Sequence, residues 1–547
     1  MANIWIKKPM EAYEADIKKS QLKRVLGKWS LTAIGIGAII GGGIFVLTGT
    51  GAYYNAGPAL ALSFVVAGIA CVFAALCYAE FASILPVEGS AYAYAYGTVG
   101  EIFAWIIGWG LILEYAMGSM TVAVSWSGYF AKLLKMFGLH LPYWMTTDPG
   151  TAKKAFGEAT SQIAAGGLPL EKLQAFQETI NNFNAAPAIL DLKLFLNLPA
   201  LLIVLVVISI LVRGTKGAAK ANNFIVILKV SAIIFVIVAG VFFINVENWT
   251  PFIPEATTII ENGKSEPAYG YSGIIAGAAA IFFAYVGFDA VSTQAGEAIN
   301  PKKDVPFAII TSLVVCTVLY ILVSLVLTGM MHYTDFNPLG KYPDAIKAPV
   351  AYAFDIAGQA WAGYIITIAA TVGLISVLMV MIMGQSRIFL GMSKDGLIPS
   401  TFSKVDAEAG VPKKNLYILG AVIAIVAAFT PINDLAHMTS FGTLFAFTMV
   451  CVAVWILRKK EPNLQRNFKV PMLPVVATLG ILINVYLIFN LSPEAQKYSL
   501  IWLALGFVIY FLYSKKNSKM QNGGFGETFK AEQTPLEEVD VDIDNKH

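Results

Sequence analysis

Leu31-Thr32-Ala33-Ile34-Gly35-Ile36-Gly37-Ala38-Ile39-Ile40-Gly41-Gly42-Gly43-Ile44-Phe45 lies inside an apolar run long enough to cross a bilayer. Each glycine inside a helix costs roughly 1 kcal/mol relative to alanine, so Gly41-Gly42-Gly43 is a poor way to continue one. It is a good way to break one at mid-membrane and present backbone N–H and C=O groups to a small polar solute. Such a break is tolerated only against protein or a wet cavity. Close helix packing is the competing reading, because Gly37 to Gly41 also forms a GxxxG pattern.

A second stretch tips the balance. Ile281-Phe282-Phe283-Ala284-Tyr285-Val286-Gly287-Phe288-Asp289 interrupts another spanning run with a glycine and an acid. Two broken spans at corresponding places in two halves of a hydrophobic chain point to a carrier built from inverted repeats.

Composition sets the class. Apolar residues make up 57% of the 547 and charged residues 13%, with mean hydropathy +0.67. A soluble chain carries about 25% charged residues, so this is an integral membrane protein that embeds in a lipid bilayer. Cys71, Cys77, Cys316 and Cys451 all fall in apolar runs and are expected to be small buried hydrophobes without disulfides. The scattered histidines and the lack of a ligand-spaced Cys/His cluster argue against a metal site.

Along the chain, residues 1–28 are polar and basic, with a weak amphipathic rhythm from Tyr13. About twelve spans follow. The Ser90–Tyr96 run of alternating alanine and tyrosine suits an interfacial helix. Hydropathy collapses over 140–192, where Leu170 to Phe183 has a helical rhythm, and this segment is expected outside as a solvated loop. From Ser514 the tail turns basic, then glycine-rich and acidic, and is expected to be disordered. The basic groups Arg213/Lys216/Lys220, Lys302/Lys303, Lys394–Lys414, Arg458–Lys469 and Lys515–Lys519 share one side in this count. The positive-inside rule then places both termini in the cytoplasm of a multi-pass cell-membrane protein.

Ionisable residues inside spans need a reason, since each costs roughly 3 to 10 kcal/mol unpaired. Glu80 and Glu297 lie near cytoplasmic ends, where snorkelling competes with a role as gate contacts; Asp289 either caps the restarted helix or joins the gate. Glu114 lies deep in span 3 and is a candidate for the pocket. Lys229 lies inside span 5. A lysine facing the bundle can exchange its proton, because desolvation disfavours the ammonium, and this is favoured over snorkelling. A helix restarting at Gly42–Gly43 offers N–H groups to a carboxylate, and unwound carbonyls such as those of Ile39, Phe283, Ala284 and Val286 suit an ammonium. A site with both suits a zwitterionic α-amino acid.

Gly35 to Phe45, Phe283 to Ser292 and Ser393-Lys-Asp-Gly-Leu-Ile-Pro399 resemble the amino acid–polyamine–organocation superfamily, in particular bacterial members of its cationic amino acid transporter subfamily. The likeness runs from about Lys23 to Tyr513, leaving out the insert and the acidic tail. It implies an all-α membrane protein of about twelve helices with a 5+5 inverted repeat and discontinuous helices 1 and 6. The corresponding divisions are a cytoplasmic segment 1–28, a first repeat 29–246 with the external insert 140–192, a second repeat 247–458, added helices 459–514 and a tail 515–547. It also implies proton-coupled amino acid uptake by alternating access. Position by position, the substrate carboxylate meets Gly42 and Gly43, with Gly41 also in the binding site, and the amine meets carbonyls at Ile39, Phe283, Ala284 and Val286. Glu114 lies near the pocket, and Lys229 replaces the sodium ion of related carriers, so no cofactor or bound sodium is expected. Relatives often carry a hydroxyl residue where Gly42 stands, so a lost donor and extra room are expected there. The expected substrate is a neutral amino acid, with a cationic amino acid transporter or an exchanger as alternatives. Neither nucleic acid nor catalysis is expected, since the spans hold no nucleophile–base pair; a channel is disfavoured by the two broken helices.

Overall fold

The computed structural model describes residues 4–9, 26–84, 90–165, 170–189, 192–214, 218–261, 264–338, 340–406 and 408–522. The proposed amphipathic stretch after Tyr13, Lys216 and most of the acidic tail fall outside these residues, as does the side chain of Glu297. Among the described residues the chain is almost entirely helical, with two short antiparallel β hairpins in loops. Eight helical runs are long and apolar enough to cross a membrane, and Leu198–Leu211 and Leu473–Phe489 add shorter apolar helices.

The first glycine-rich run divides as its composition requires. Helix α1 (Lys28–Ile39) ends where Ile40 is extended, and short helices α2 (Gly42–Phe45) and α3 (Leu47–Gly51) continue the path. A π turn over Ala52–Ala56 leads into α4 (Leu60–Ile84). Helix α5 (Ser90–Thr98) is not interfacial: Tyr92, Tyr94 and Tyr96 are buried, and Phe81 stacks on Tyr94. Small alanines between the rings allow the helix to sink into the protein.

The long α6 (Glu101–Met136) is the central post, packed against α14 (Ala360–Lys394) and α16 (Ile432–Lys460). After it, beyond a single helical turn at Tyr143–Thr146, the insert forms two longer helices, α7 (Pro149–Ala165) and α8 (Leu170–Asn184); the helical rhythm announced only the second. They share a small core of Ala159 and Phe176. Phe156, Phe183 and Phe195 stack in series and tie the pair to the following segment. Helix α9 (Leu198–Leu211) starts on Asn197, whose side chain accepts from Ala200 N–H at 3.2 Å and from the Ser127 hydroxyl.

Helix α10 (Ala218–Gly240) carries Lys229. The second broken run comprises α11 (Gly270–Ala280), a 3-10 turn Ile281–Tyr285, extended Val286, and a 3-10 helix Asp289–Glu297. The remaining helices are α12 (Pro301–Met330), α13 (Pro349–Ile356), α14, α15 (Lys413–Phe429), α16, α17 (Leu473–Phe489) and α18 (Pro493–Ile509).

Of the tail expected to be disordered, residues 515–522 are described, and they pack against the bundle. Glu101 is fully buried and needs donors, which Tyr96, Tyr510, Ser518 and Gln521 supply. Asp395 of the Ser393–Pro399 motif accepts from Lys8 Nζ at 3.1 Å and the Tyr92 hydroxyl at 2.7 Å, and its carbonyl takes Lys519 N–H. The N-terminal segment and the start of the tail therefore close onto the same end of the bundle.

Candidate functional site

The two breaks meet at the centre of the bundle. Gly287 has φ +121, a conformation that side chains disfavour, and a Cβ there would come within 2.8 Å of the Ala38 carbonyl carbon. A Cβ on Gly43 would overlap the backbone of Ala284. Glycine at these two positions therefore lets one unwound segment lie directly on the other. A Cβ on Gly42 would stand 3.7 Å from the Phe283 ring, and one on Gly118 of α6 would stand 3.7 Å from the same ring. Of the residues proposed from sequence as one site, Ile39, Gly41, Gly42, Gly43, Phe283, Ala284 and Val286 all lie buried on the two broken runs.

Their hydrogen bonding differs in part from expectation. The Ile39 carbonyl accepts from the Tyr320 hydroxyl at 2.8 Å, and the Phe283 carbonyl accepts from Val286 N–H at 3.1 Å. Phe283 N–H is itself held by the Ser440 hydroxyl of α16 at 3.1 Å. The extra room expected at Gly42 is also absent, because Ser125 of α6 fills it.

Lys229 is fully buried and faces α1, so the snorkelling alternative fails. Its ammonium donates to the Gly37 carbonyl, to the Ile40 carbonyl at 3.0 Å and to the Ser376 hydroxyl at 3.2 Å. Three acceptors match the three protons of an ammonium. Gly373 of α14 makes room for the lysine stem, its virtual Cβ lying 3.1 Å from that of Lys229.

Glu114 is fully buried one turn before Gly118, with the Thr443 hydroxyl beside it and Gly442 of α16 against its backbone. Asp289 begins the 3-10 helix after the second break and accepts from the Tyr115 hydroxyl at 2.8 Å. Tyr115, which holds Asp289, follows Glu114 directly on α6, so the same stretch of α6 carries Glu114 and the contact to Asp289. Glu80 does not reach a protein surface. It is fully buried and accepts from Arg458, from Arg466 Nε at 3.1 Å and from Val470 N–H at 2.8 Å. Sequence reasoning missed Ser125, Gly118, Ser376 and Ser440, whose small side chains carry no signal in an apolar run.

Two touching broken helices, the first of them tied to α10 and α14 by a buried lysine, form the centre of a carrier-like bundle. A family model described as amino acid permease matches residues 26–512, nearly the whole chain. The chain belongs to this family. The permease is 42% identical over 502 residues to the branched-chain amino acid permease BcaP of Bacillus subtilis, covering 92% of this chain and 95% of that protein. It is 40% identical over 518 residues to the methylthioribose transporter of the same organism, covering 95% and 99%. Cationic amino acid transporter 4, vacuolar, of Arabidopsis thaliana is 34% identical over 81% of this chain and 64% of its own length. Family membership, with the run of apolar helices, makes the permease a multi-pass membrane transporter of amino acids.

Proposed function

We propose that this permease couples proton movement to the uptake of neutral amino acids by alternating access across the cell membrane. The observation that carries the coupling is the Lys229 ammonium, bonded to two carbonyls of the first broken run and to Ser376. Protonated, it joins α10 and α14 to that break. Deprotonated, it has fewer donors to offer and the tie loosens, so the proton biases one arrangement of the bundle over the other. The ammonium supplies the positive charge at this place, so no bound sodium or other cofactor is required.

The substrate lies where the runs cross. Its carboxylate meets the amides at Gly42 and Gly43, and its amine meets carbonyls of the second break, including Ala284 and Val286. The substrate side chain is assigned to the neighbourhood of Gly118, where the nearest atoms are Thr439 Cγ2, Met381 Sδ and those of the Phe283 ring. A neutral side chain suits these walls, and the similarity to a branched-chain amino acid permease points the same way. Glu114 favours the second reading, a cationic substrate, because a buried carboxylate is the partner an ammonium or guanidinium side chain needs. Exchange without net uptake is the third. Under the positive-inside rule the basic clusters support cytoplasmic termini, with α7 and α8 outside.

Uptake of a panel of labelled amino acids into proteoliposomes, with and without an inward proton gradient, tests all of this. Gradient-driven accumulation of leucine, valine or alanine is expected. Competition by excess lysine or arginine alone reverses the substrate assignment, and uptake only into preloaded vesicles makes the protein an exchanger.

A further inference from the structure

Residue 42 has no side chain, and the space one would fill is taken by a residue of another helix. A Cβ built on Gly42 meets Ser125 Oγ at 2.5 Å and Ser125 Cβ at 3.0 Å. Ser125 is 1% exposed, and its hydroxyl has no hydrogen-bond partner among the described residues. Its neighbours on α6 behave differently. Ser119 and Thr121 donate to carbonyls one turn back, at 2.7 and 2.8 Å, and Ser127 donates to Asn197 at 2.6 Å. A serine in a helix ordinarily has that local option, and a buried hydroxyl without a partner is disfavoured. One turn beyond Ser125, the Tyr129 hydroxyl donates to the Phe45 carbonyl at 2.8 Å. That bond fixes this face of α6 against the restarted run and keeps Ser125 aimed at Gly42.

We propose that the Ser125 hydroxyl donates to the substrate carboxylate, supplying from α6 the side-chain donor that residue 42 lacks. The inference rests on the amino acid reading above. A carboxylate accepts and cannot donate, so its partners must be N–H or O–H groups. Ser125 lies on the Gly42 side of the crossing, where the amide N–H groups are, and the carbonyls suited to an amine lie on the other run. Donor and donor thus converge on one anionic group. Because a side chain at 42 and the hydroxyl at 125 compete for one space, the two positions are exclusive alternatives.

That exclusivity gives the test, in uptake kinetics of Ser125→Ala, Gly42→Ser and the double variant in proteoliposomes. Ser125→Ala is expected to raise KM for the transported amino acid about 10- to 100-fold, the loss of one hydrogen bond to a charged group. Gly42→Ser alone is expected to be impaired as well, since its Cβ meets Ser125. The double variant is expected to recover KM to within several-fold of wild type. Inhibition by the amine analogue that lacks the carboxylate is expected to be the same in wild type and Ser125→Ala. Comparable yields on size-exclusion chromatography exclude misfolding as the cause.

An unchanged KM in Ser125→Ala, or a double variant no better than either single one, overturns the proposal while amino acid transport stands. If wild type transports no amino acid of the panel, the functional reading fails first and this inference with it.

Discussion

Lys229 and Gly43 are the two residues whose replacement separates coupling from recognition. Lys229→Ala removes a donor to Gly37, Ile40 and Ser376 without touching the crossing of the two unwound segments. Gradient-driven accumulation is expected to disappear, with exchange between substrate-loaded vesicles retained; wild-type accumulation at every pH would rule the coupling role out. Gly43→Ala acts on the crossing itself. The added methyl overlaps the Ala284 backbone, which cannot turn aside as a long side chain can. Binding is expected to be lost in a protein that still inserts, checked by ligand-induced thermal stabilisation of the purified variant. The sequence singled out both residues, but Gly43 for a different reason. There it stood for an amide offered to the substrate carboxylate, whereas the tighter limit on bulk is the second helix.

Among the elements, the join between α4, α16 and the loop before α17 depends on one carboxylate. Glu80 holds Arg458 of α16 and Arg466 of the loop, and accepts Val470 N–H as well. Removing one partner of a buried ion cluster leaves the others uncompensated, at a cost of about 3–5 kcal/mol. Glu80→Ala is therefore expected to lower the melting temperature in detergent markedly, and Glu80→Gln less so, because the amide keeps an acceptor. Equal, small shifts for both would show that the arginines find other partners. In the sequence Glu80 read as a snorkelling acid near a span end. Its arginines arrive 378 and 386 positions later, and no local pattern reports a pairing at that separation.

For the whole molecule, the two ends of the bundle should label from opposite sides. The four cysteines are buried, so background labelling is low. Ser161 on α7 and Lys516 after α18 are both exposed, whereas Ser518, beside Glu101, is buried and unsuitable as a probe. Ser161→Cys is expected to react with an impermeant maleimide in intact cells, and Lys516→Cys only after permeabilisation. The reverse pattern would invert the orientation inferred from the basic clusters.

The sequence by itself determined the membrane class and both breaks. These follow from local chemistry: apolar length sets a span, and glycine weakens a helix wherever it stands. It also marked Lys229, because a charge inside a span is conspicuous without any knowledge of its partners. Tertiary structure decided what the marked groups meet. Lys229 reaches carbonyls 192 and 189 positions away, Tyr320 takes the Ile39 carbonyl left by the break, and α5 leaves the interface for the interior. It decided the fate of the tail, whose first residues order because buried Glu101 and Asp395 recruit them. It also decided the character of Gly42, which in sequence is a missing side chain and in the fold is a space occupied by Ser125. Whether a glycine leaves a cavity depends on what packs against it, and packing at that distance along the chain is a property of the folded bundle alone.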